Sequence, residues 1–208
     1  MAENRAGTTQ GLASIAWKLP VQSAHNKCAM QSVNLPAEAE RWIKLHRTHL
    51  TGNLRDAYCM DVARDFWQIK PFLPEKVSSI IDIGCGLAGI DVLLSAHFPW
   101  ASITLVDSDG PDDNFRGGYR PVMKPFTSRE VVNEIFALND LPEPTWLDVG
   151  TEQTLEADLI VSLLSWGFHY PLETYRTKGL HIADIRKGQP IRGRVIAQEQ
   201  KYNRCAWN

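Results

Sequence analysis

The stretch Ser79-Ile80-Ile81-Asp82-Ile83-Gly84-Cys85-Gly86-Leu87-Ala88-Gly89, answered downstream by Ile103-Thr104-Leu105-Val106-Asp107, decides how this chain is read. It has the pattern of an apolar strand, a glycine-rich turn, a helix and a second apolar strand that ends in a carboxylate. Gly84 and Gly86 permit backbone angles that a side chain forbids, and they leave amide groups bare toward a ligand. Leu87, Ile90, Leu94 and Phe98 fall on one helical stripe, so a helix is expected from near Leu87, its first N–H groups aimed at the same place. Ile103 and Leu105 alternate as a strand should. Asp107 is thereby expected at the carboxyl end of that strand, where a carboxylate can accept hydrogen bonds from both hydroxyls of a ribose.

The string Gly84-x-Gly86-x-x-Gly89, with Asp107 near the usual spacing, also satisfies the dinucleotide fingerprint. The glycines therefore leave two classes of ligand open, nicotinamide dinucleotides and S-adenosylmethionine. Asp82 separates them. A pyrophosphate brings negative charge, and a carboxylate two residues before the turn repels it. The same carboxylate suits a ligand that carries an ammonium and a sulfonium.

Asp82-Ile83-Gly84-Cys85-Gly86 resembles motif I of the class I S-adenosylmethionine-dependent methyltransferases, and Val106-Asp107 resembles their ribose-binding acidic position. The resemblance runs in strand order from about Ser79 to Asp184. It implies a Rossmann-like α/β fold: a mostly parallel central sheet flanked by helices, with a helical cap ahead of it. It further implies S-adenosylmethionine as cofactor. Asp82, Gly84, Cys85 and Gly86 would hold the methionine part, and Asp107 with Ser108 the ribose. Asp148 falls where related enzymes set an acid against the adenine amine, and Ser162 and Leu163 fall where backbone contacts the cofactor. Asp148 as a surface turn remains the alternative.

Length and composition bound the rest. A chain of 208 residues with 44% hydrophobic residues suits one α/β domain with a substantial core. No apolar run approaches the ~20 residues that span a bilayer, and the N-terminus lacks the apolar core of a signal peptide. Cys28, Cys59, Cys85 and Cys205 form no Cys-x-x-Cys pair, so a reduced, cytoplasmic protein without disulfides is expected. A net charge of −2 argues against a whole-molecule nucleic-acid binder. The charge is uneven, with twelve acids against four bases over 107–158 and eight bases against two acids over 176–208. Two solvated faces that offset one another account for this, or a basic rim for an anionic acceptor does.

The expected organisation is a loose arm over 1–35, a helical cap over 36–75 and a cofactor-binding domain over 76–208. The cap's first helix is expected from Pro36 to about Leu50. Its second is capped by Asn53 and stopped by Pro71. His46 and His49 share a face of the first helix without a third ligand nearby, so no metal is expected. A long loop spans Ser108 to Pro125. Thr127-Ser128-Arg129-Glu130 reads as a capping box ahead of a helix through Val131, Ile135 and Leu138. Further strands are expected over Trp146–Val149, Leu159–Leu164 and Leu180–Ile185, with at least one more between Arg194 and Trp207. Family members close with an antiparallel hairpin, and the room left here implies abbreviated C-terminal strands.

The fourth strand leads into Ser165-Trp166-Gly167-Phe168-His169-Tyr170-Pro171, the position where family members bring the methyl group to its acceptor. The Asp/Asn/Ser-Pro-Pro-aromatic motif of base-amine methyltransferases is missing, which argues against nucleic-acid amines. Trp166, Phe168 and Tyr170 could instead wall a pocket around a sugar or aromatic ring. His169 could take a proton from a hydroxyl, or merely bond to neighbouring backbone while the aromatics fill the core. The expectation is a methyltransferase acting on a hydroxyl of a small molecule, with a sugar as one candidate. A nicotinamide oxidoreductase and a non-catalytic cofactor-binding subunit or sensor are the alternatives. Oligomeric state is not legible.

Overall fold

A computed structural model describes residues 32–109, 127–149, 153–163, 165–166, 175–184 and 194–197. The arm over 1–31, most of the 108–125 loop, and Phe168, His169 and Tyr170 lie outside the described residues.

Two helices come first. Helix α1 spans Ala39–His46 and α2 spans Leu54–Ile69. Helix α1 is shorter than the expected Pro36–Leu50, because Arg47 leaves helical geometry at φ −124° and ψ 59°. His49 therefore lies past the helix rather than on a face shared with His46. The cap of α2 is as expected, the Asn53 side chain accepting from the Asp56 amide at 3.4 Å. A single 3-10 turn over Lys70–Phe72 ends the segment at Pro71, which has no N–H to extend a helix.

The remaining elements alternate: β1 Ser79–Ile83, α3 Gly89–His97, β2 Ser102–Val106, α4 Arg129–Leu138, β3 Thr145–Leu147, β4 Gln153–Leu163, β5 Tyr175–Asp184 and β6 Arg194–Ala197. They build one sheet in the order β3-β2-β1-β4-β5-β6. Strands β1 to β5 pair in parallel, and β6 runs antiparallel along β5.

Further boundaries differ from expectation for local reasons. Helix α3 starts at Gly89, not near Leu87, because Ala88 adopts a left-handed backbone at φ 52°. Leu87 therefore belongs to the turn. Helix α4 is capped by Ser128, whose hydroxyl accepts from the Val131 amide at 3.3 Å. Thr127, the expected cap, donates its hydroxyl to the Gly86 carbonyl instead and ties α4 to the glycine turn. Strands β4 and β5 begin earlier than their apolar runs. In β4 Leu155 and Ala157 are buried while Thr154, Glu156 and Asp158 are exposed, and Tyr175 and Thr177 alternate in the same way with Arg176 and Lys178 in β5. Those half-buried ends carry strand periodicity without an apolar run.

The alternation of a strand distributes β1 between two cores. Ile80 joins the larger core with Ile43, Phe66, Leu94, Ile135 and Leu159, so α1 and α2 share a core with the sheet, α3 and α4. Ile81 and Ile83 point the other way, into a smaller core with Val106, Ile160, Trp166 and Tyr175. Fully burying one such aliphatic side chain stabilises the fold by about 1.5–3 kcal/mol. Asp82 has the parity of Ile80 and is carried to the α3 side. Among the described residues no helix is long and apolar enough to cross a membrane.

Candidate functional site

Because β1 to β4 are parallel, their carboxyl ends lie along one edge. Strand β1 sits between β2 on one side and β4 on the other, so chain connections diverge there and open a crevice. That edge gathers Gly84 to Ala88 after β1, Asp107 and Ser108 after β2, Asp148 after β3, and Ser162 and Leu163 at the end of β4.

The turn is held tightly. The Gly84 amide donates to the Val106 carbonyl at 2.7 Å, and the Gly86 amide donates to Asp107 Oδ2 at 2.9 Å. The other Asp107 oxygen accepts from the Ser108 amide at 2.8 Å. Gly84 and Gly86 have φ of 77° and 55°, and a Cβ on Gly86 would stand 3.0 Å from His46 Nδ1. The amide of Gly89, at the start of α3, donates to the Tyr58 hydroxyl at 3.2 Å. Two amides that the sequence reading aimed at a ligand are thus already taken by side chains of the protein.

Asp82 is 2% exposed and Asp91, in the first turn of α3, is 0% exposed. Among the described residues Asp82 Oδ1 and both Asp91 oxygens have no hydrogen-bond partner. Burial first, and then the charge of the neighbouring Asp91, push the Asp82 carboxyl well above the usual range. Burial raises Asp91 to about 7. Burial also raises Asp107 to about 6, with the Gly86 and Ser108 amides pulling the other way. The Cys85 thiol is pushed up by burial and by Asp107, so it stays neutral beside the turn.

A cavity of about 30 Å³ opens against Asp82, lined also by Arg47, Tyr58, Asp65, Gly84 and Leu163. It has room for one or two waters or an ammonium-sized group. Arg47 bonds Asp61 at 2.8 Å and approaches Asp65 at 3.5 Å, both on α2. The cavity therefore carries a guanidinium as well as carboxyls.

The other expected site residues fall as follows. Ser162 is 1% exposed; its hydroxyl donates to the Ile83 carbonyl at 2.7 Å and accepts from the Trp166 amide at 2.9 Å, strapping β4 to β1. Leu163 lines the cavity. Asp148 reaches the expected edge but is 74% exposed and ion-paired to Arg129. Trp166 does not wall a pocket: it is 1% exposed and packs in the smaller core, its ring 5.9 Å from that of His181. Its parity past Ser162 turns it under the sheet. Asp91, Tyr58, Arg47 and Asp65 escaped the sequence reading. Asp91 alone left a signal, an acid inside the apolar run Gly89–Leu94.

These carboxyls set the pH response of stability. An acid whose pKa is raised by folding binds more protons folded than unfolded, so its share of stability is full below the unfolded value near 4 and is lost as pH rises through the folded value. Asp107 at about 6, Asp91 at about 7 and Asp82, raised well above the usual range by burial, all act in that sense. The unliganded protein is expected to show a Tm that falls by several degrees from about pH 5 to pH 8. Asp91→Asn should flatten that fall, as thermal denaturation across this range will read. A Tm that rises through neutrality would contradict the buried pair.

No family model and no curated protein matches this sequence. Solved structures resemble its fold. Coclaurine N-methyltransferase bound to N-methylheliamine and SAH is 12% identical, over 73% of this chain and 44% of that one, with a TM-score of 0.45. A cyclopropane-fatty-acyl-phospholipid synthase-like protein from Lactobacillus casei is 15% identical over 68% of this chain and 54% of its own, at 0.43. A plantazolicin methyltransferase in complex with SAH is 15% identical over 70% and 58%, at 0.32. The chain spans less than two thirds of the length of each. The parallel order β3-β2-β1-β4-β5 with a glycine turn where its connections diverge makes this a Rossmann-like α/β fold, the architecture that class I methyltransferases share.

Proposed function

We propose that the chain is an S-adenosylmethionine-dependent methyltransferase that methylates a hydroxyl of a small molecule, a sugar being one candidate. The observation that carries the cofactor assignment is the pair of buried carboxyls, Asp82 and Asp91, directly behind the glycine turn. A diphosphate there would face two acids and a helix whose first amide is engaged by Tyr58. A ligand with an ammonium finds complementary charge, and Arg47 on the same cavity wall suits the carboxylate of its amino-acid end. The antiparallel β6 beside β5 is also in keeping with the closing strands of methyltransferases rather than an all-parallel dinucleotide sheet.

In this reading Asp107 takes the ribose hydroxyls, with Ser108 beside it. Asp148 faces the adenine amine, and Ser162 and Leu163 border the cofactor. S-adenosylmethionine supplies an activated methyl group, and the chain's task is alignment and water exclusion. His169, Phe168 and Tyr170, in the segment after Trp166, are assigned to the acceptor, with His169 as the base that takes the hydroxyl proton.

Calorimetry with S-adenosylmethionine, SAH and NAD tests the cofactor. Binding of the first two without NAD is expected, and the reverse would defeat the proposal. Methyl-labelled donor incubated with hydroxylated acceptors and cell extract tests the reaction, since a sensor binds cofactor and labels nothing. His169→Ala should leave cofactor affinity unchanged and lower kcat by ~10²-fold or more if the imidazole is the base. An unchanged kcat would assign the proton to water.

A further inference from the structure

The fold sets a second buried acid behind the one that faces the cavity. Asp82 alone would give an ammonium its counter-charge, yet Asp91 is buried against it from α3, and the cavity reaches Asp82 without reaching Asp91. Two facing carboxyls in a water-poor setting cannot both be ionised without large repulsion. Among the described residues three of their four oxygens have no hydrogen-bond partner, so a hydrogen-bonding cation, or a proton in its stead, is what the arrangement requires.

We propose that Asp91 is a positioning residue that makes ligand binding proton-coupled: the Asp82–Asp91 pair holds one proton while the cavity is empty and releases it to solvent when the ligand's ammonium takes that place. This rests on the reading of the cofactor as S-adenosylmethionine. The exchange balances, with one proton leaving as one fixed positive charge arrives and the ammonium keeping its own hydrogens. A neutral ligand end gains nothing from the pair, so the device selects an amino-acid tail over a plain adenosine derivative.

The surrounding groups do not replace the pair in this role. Tyr58 on α2 is neutral, its pKa raised by burial, and Cys85 in the turn is likewise a neutral thiol. Asp107 after β2 is ionised above about pH 6. Arg47 and Asp65 already face one another across the cavity wall. Strand β4 contributes Ser162 and Leu163, neither of which titrates in this range. Among these groups the pair, raised by burial, is the one placed on the cavity to hold a proton that an arriving cation displaces.

The test is titration calorimetry at pH 7, where the ligand's amine is an ammonium, in buffers of different ionisation enthalpy, where the slope of binding heat against that enthalpy counts protons. S-adenosylmethionine and SAH should each release up to one proton, with affinity rising up to about tenfold per pH unit. Methylthioadenosine, which lacks the amino-acid end, should bind with no release. In Asp91→Asn the amide can donate to an ionised Asp82, so binding should persist and the release should fall toward zero. A slope near zero in the wild type, equal release with methylthioadenosine, or undiminished release in Asp91→Asn overturns the inference while leaving the cofactor assignment intact. Failure of all three ligands to bind overturns that assignment as well. Should Asp91→Asn not fold, the wild-type comparison of SAH with methylthioadenosine decides alone.

Discussion

Gly179→Ala is expected to leave the protein unfolded or barely folded. Gly179 lies inside β5, at φ +142°, a conformation nearly closed to any residue with a Cβ. A Cβ built there would stand 1.9 Å from the carbonyl oxygen of Ala157 and 3.1 Å from its carbon. The obstacle is backbone, so no rotamer change relieves it. The cause is a register shift between β4 and β5: Glu156 pairs with Lys178 and Leu159 with Leu180, so Ala157 and Asp158 together face Gly179. This bulge lets Asp158 hold β1, its Oδ2 accepting from the Ser78 and Ser79 amides at 2.8 and 3.2 Å. It also sets the register that carries Ser162 and Leu163 to the site. Strain and overpacking of this kind cost roughly 1–3 kcal/mol each, against a total stability of only about 5–15 kcal/mol. A Tm lower by about 10 °C or more is expected, with soluble yield reduced. Lys178→Ala next to it removes an exposed ion pair with Glu156, a kind worth under about 1 kcal/mol. A Gly179→Ala protein as stable as that control would show that the bulge is not needed.

Gly179 also marks where the sequence stops being legible. A glycine in a polar stretch carries no sign of its partner strand, because the bulge belongs to the pairing and not to either segment. The central part was legible for the opposite reason: Ile80, Ile81 and Ile83, and Ile103, Leu105 and Val106, are buried, so both segments are dominated by apolar residues. The ends of β4 and β5 are half exposed, and their polar residues hid them. The glycine turn was read correctly as a turn, but its length was not, because left-handed Ala88 has no residue signature. The site divides in the same way. Asp82, Gly86 and Asp107 meet through short-range geometry that the spacing encodes. Asp91 and Tyr58 reach the same place from α3 and α2, through packing that a linear pattern does not record. Trp166 fills the smaller core, the alternative that the sequence leaves open for the aromatics of its loop.

Asp107→Ala is expected to weaken S-adenosylmethionine binding by roughly 1.5–3 kcal/mol, the worth of charged hydrogen bonds, or about 10- to 150-fold in Kd. Its effect on folding should be smaller. Both carboxylate oxygens are already in place, on Gly86 and on Ser108, so the group is preorganised and little ordering cost falls on the ligand. Yet its pKa stands at about 6, raised by burial, so the folded chain holds this ionised carboxylate against a desolvation penalty. Removing it frees that penalty and orphans two amides, and the two effects offset. A residue kept under such terms is better explained by a ligand than by stability. Ionisation gives the independent check. Below about pH 6 the wild type protonates Asp107 and loses affinity, whereas Asp107→Ala should lack that limb. The proton coupling of Asp82 and Asp91 acts above it and should remain. Asp148 forms an exposed pair with Arg129, and an affinity loss beyond about 1 kcal/mol in Asp148→Ala would favour its contact with the adenine. Equal Kd values for Asp107→Ala and wild type at pH 7 would remove the ribose from this carboxylate and, with it, the orientation of the cofactor along the edge of the sheet.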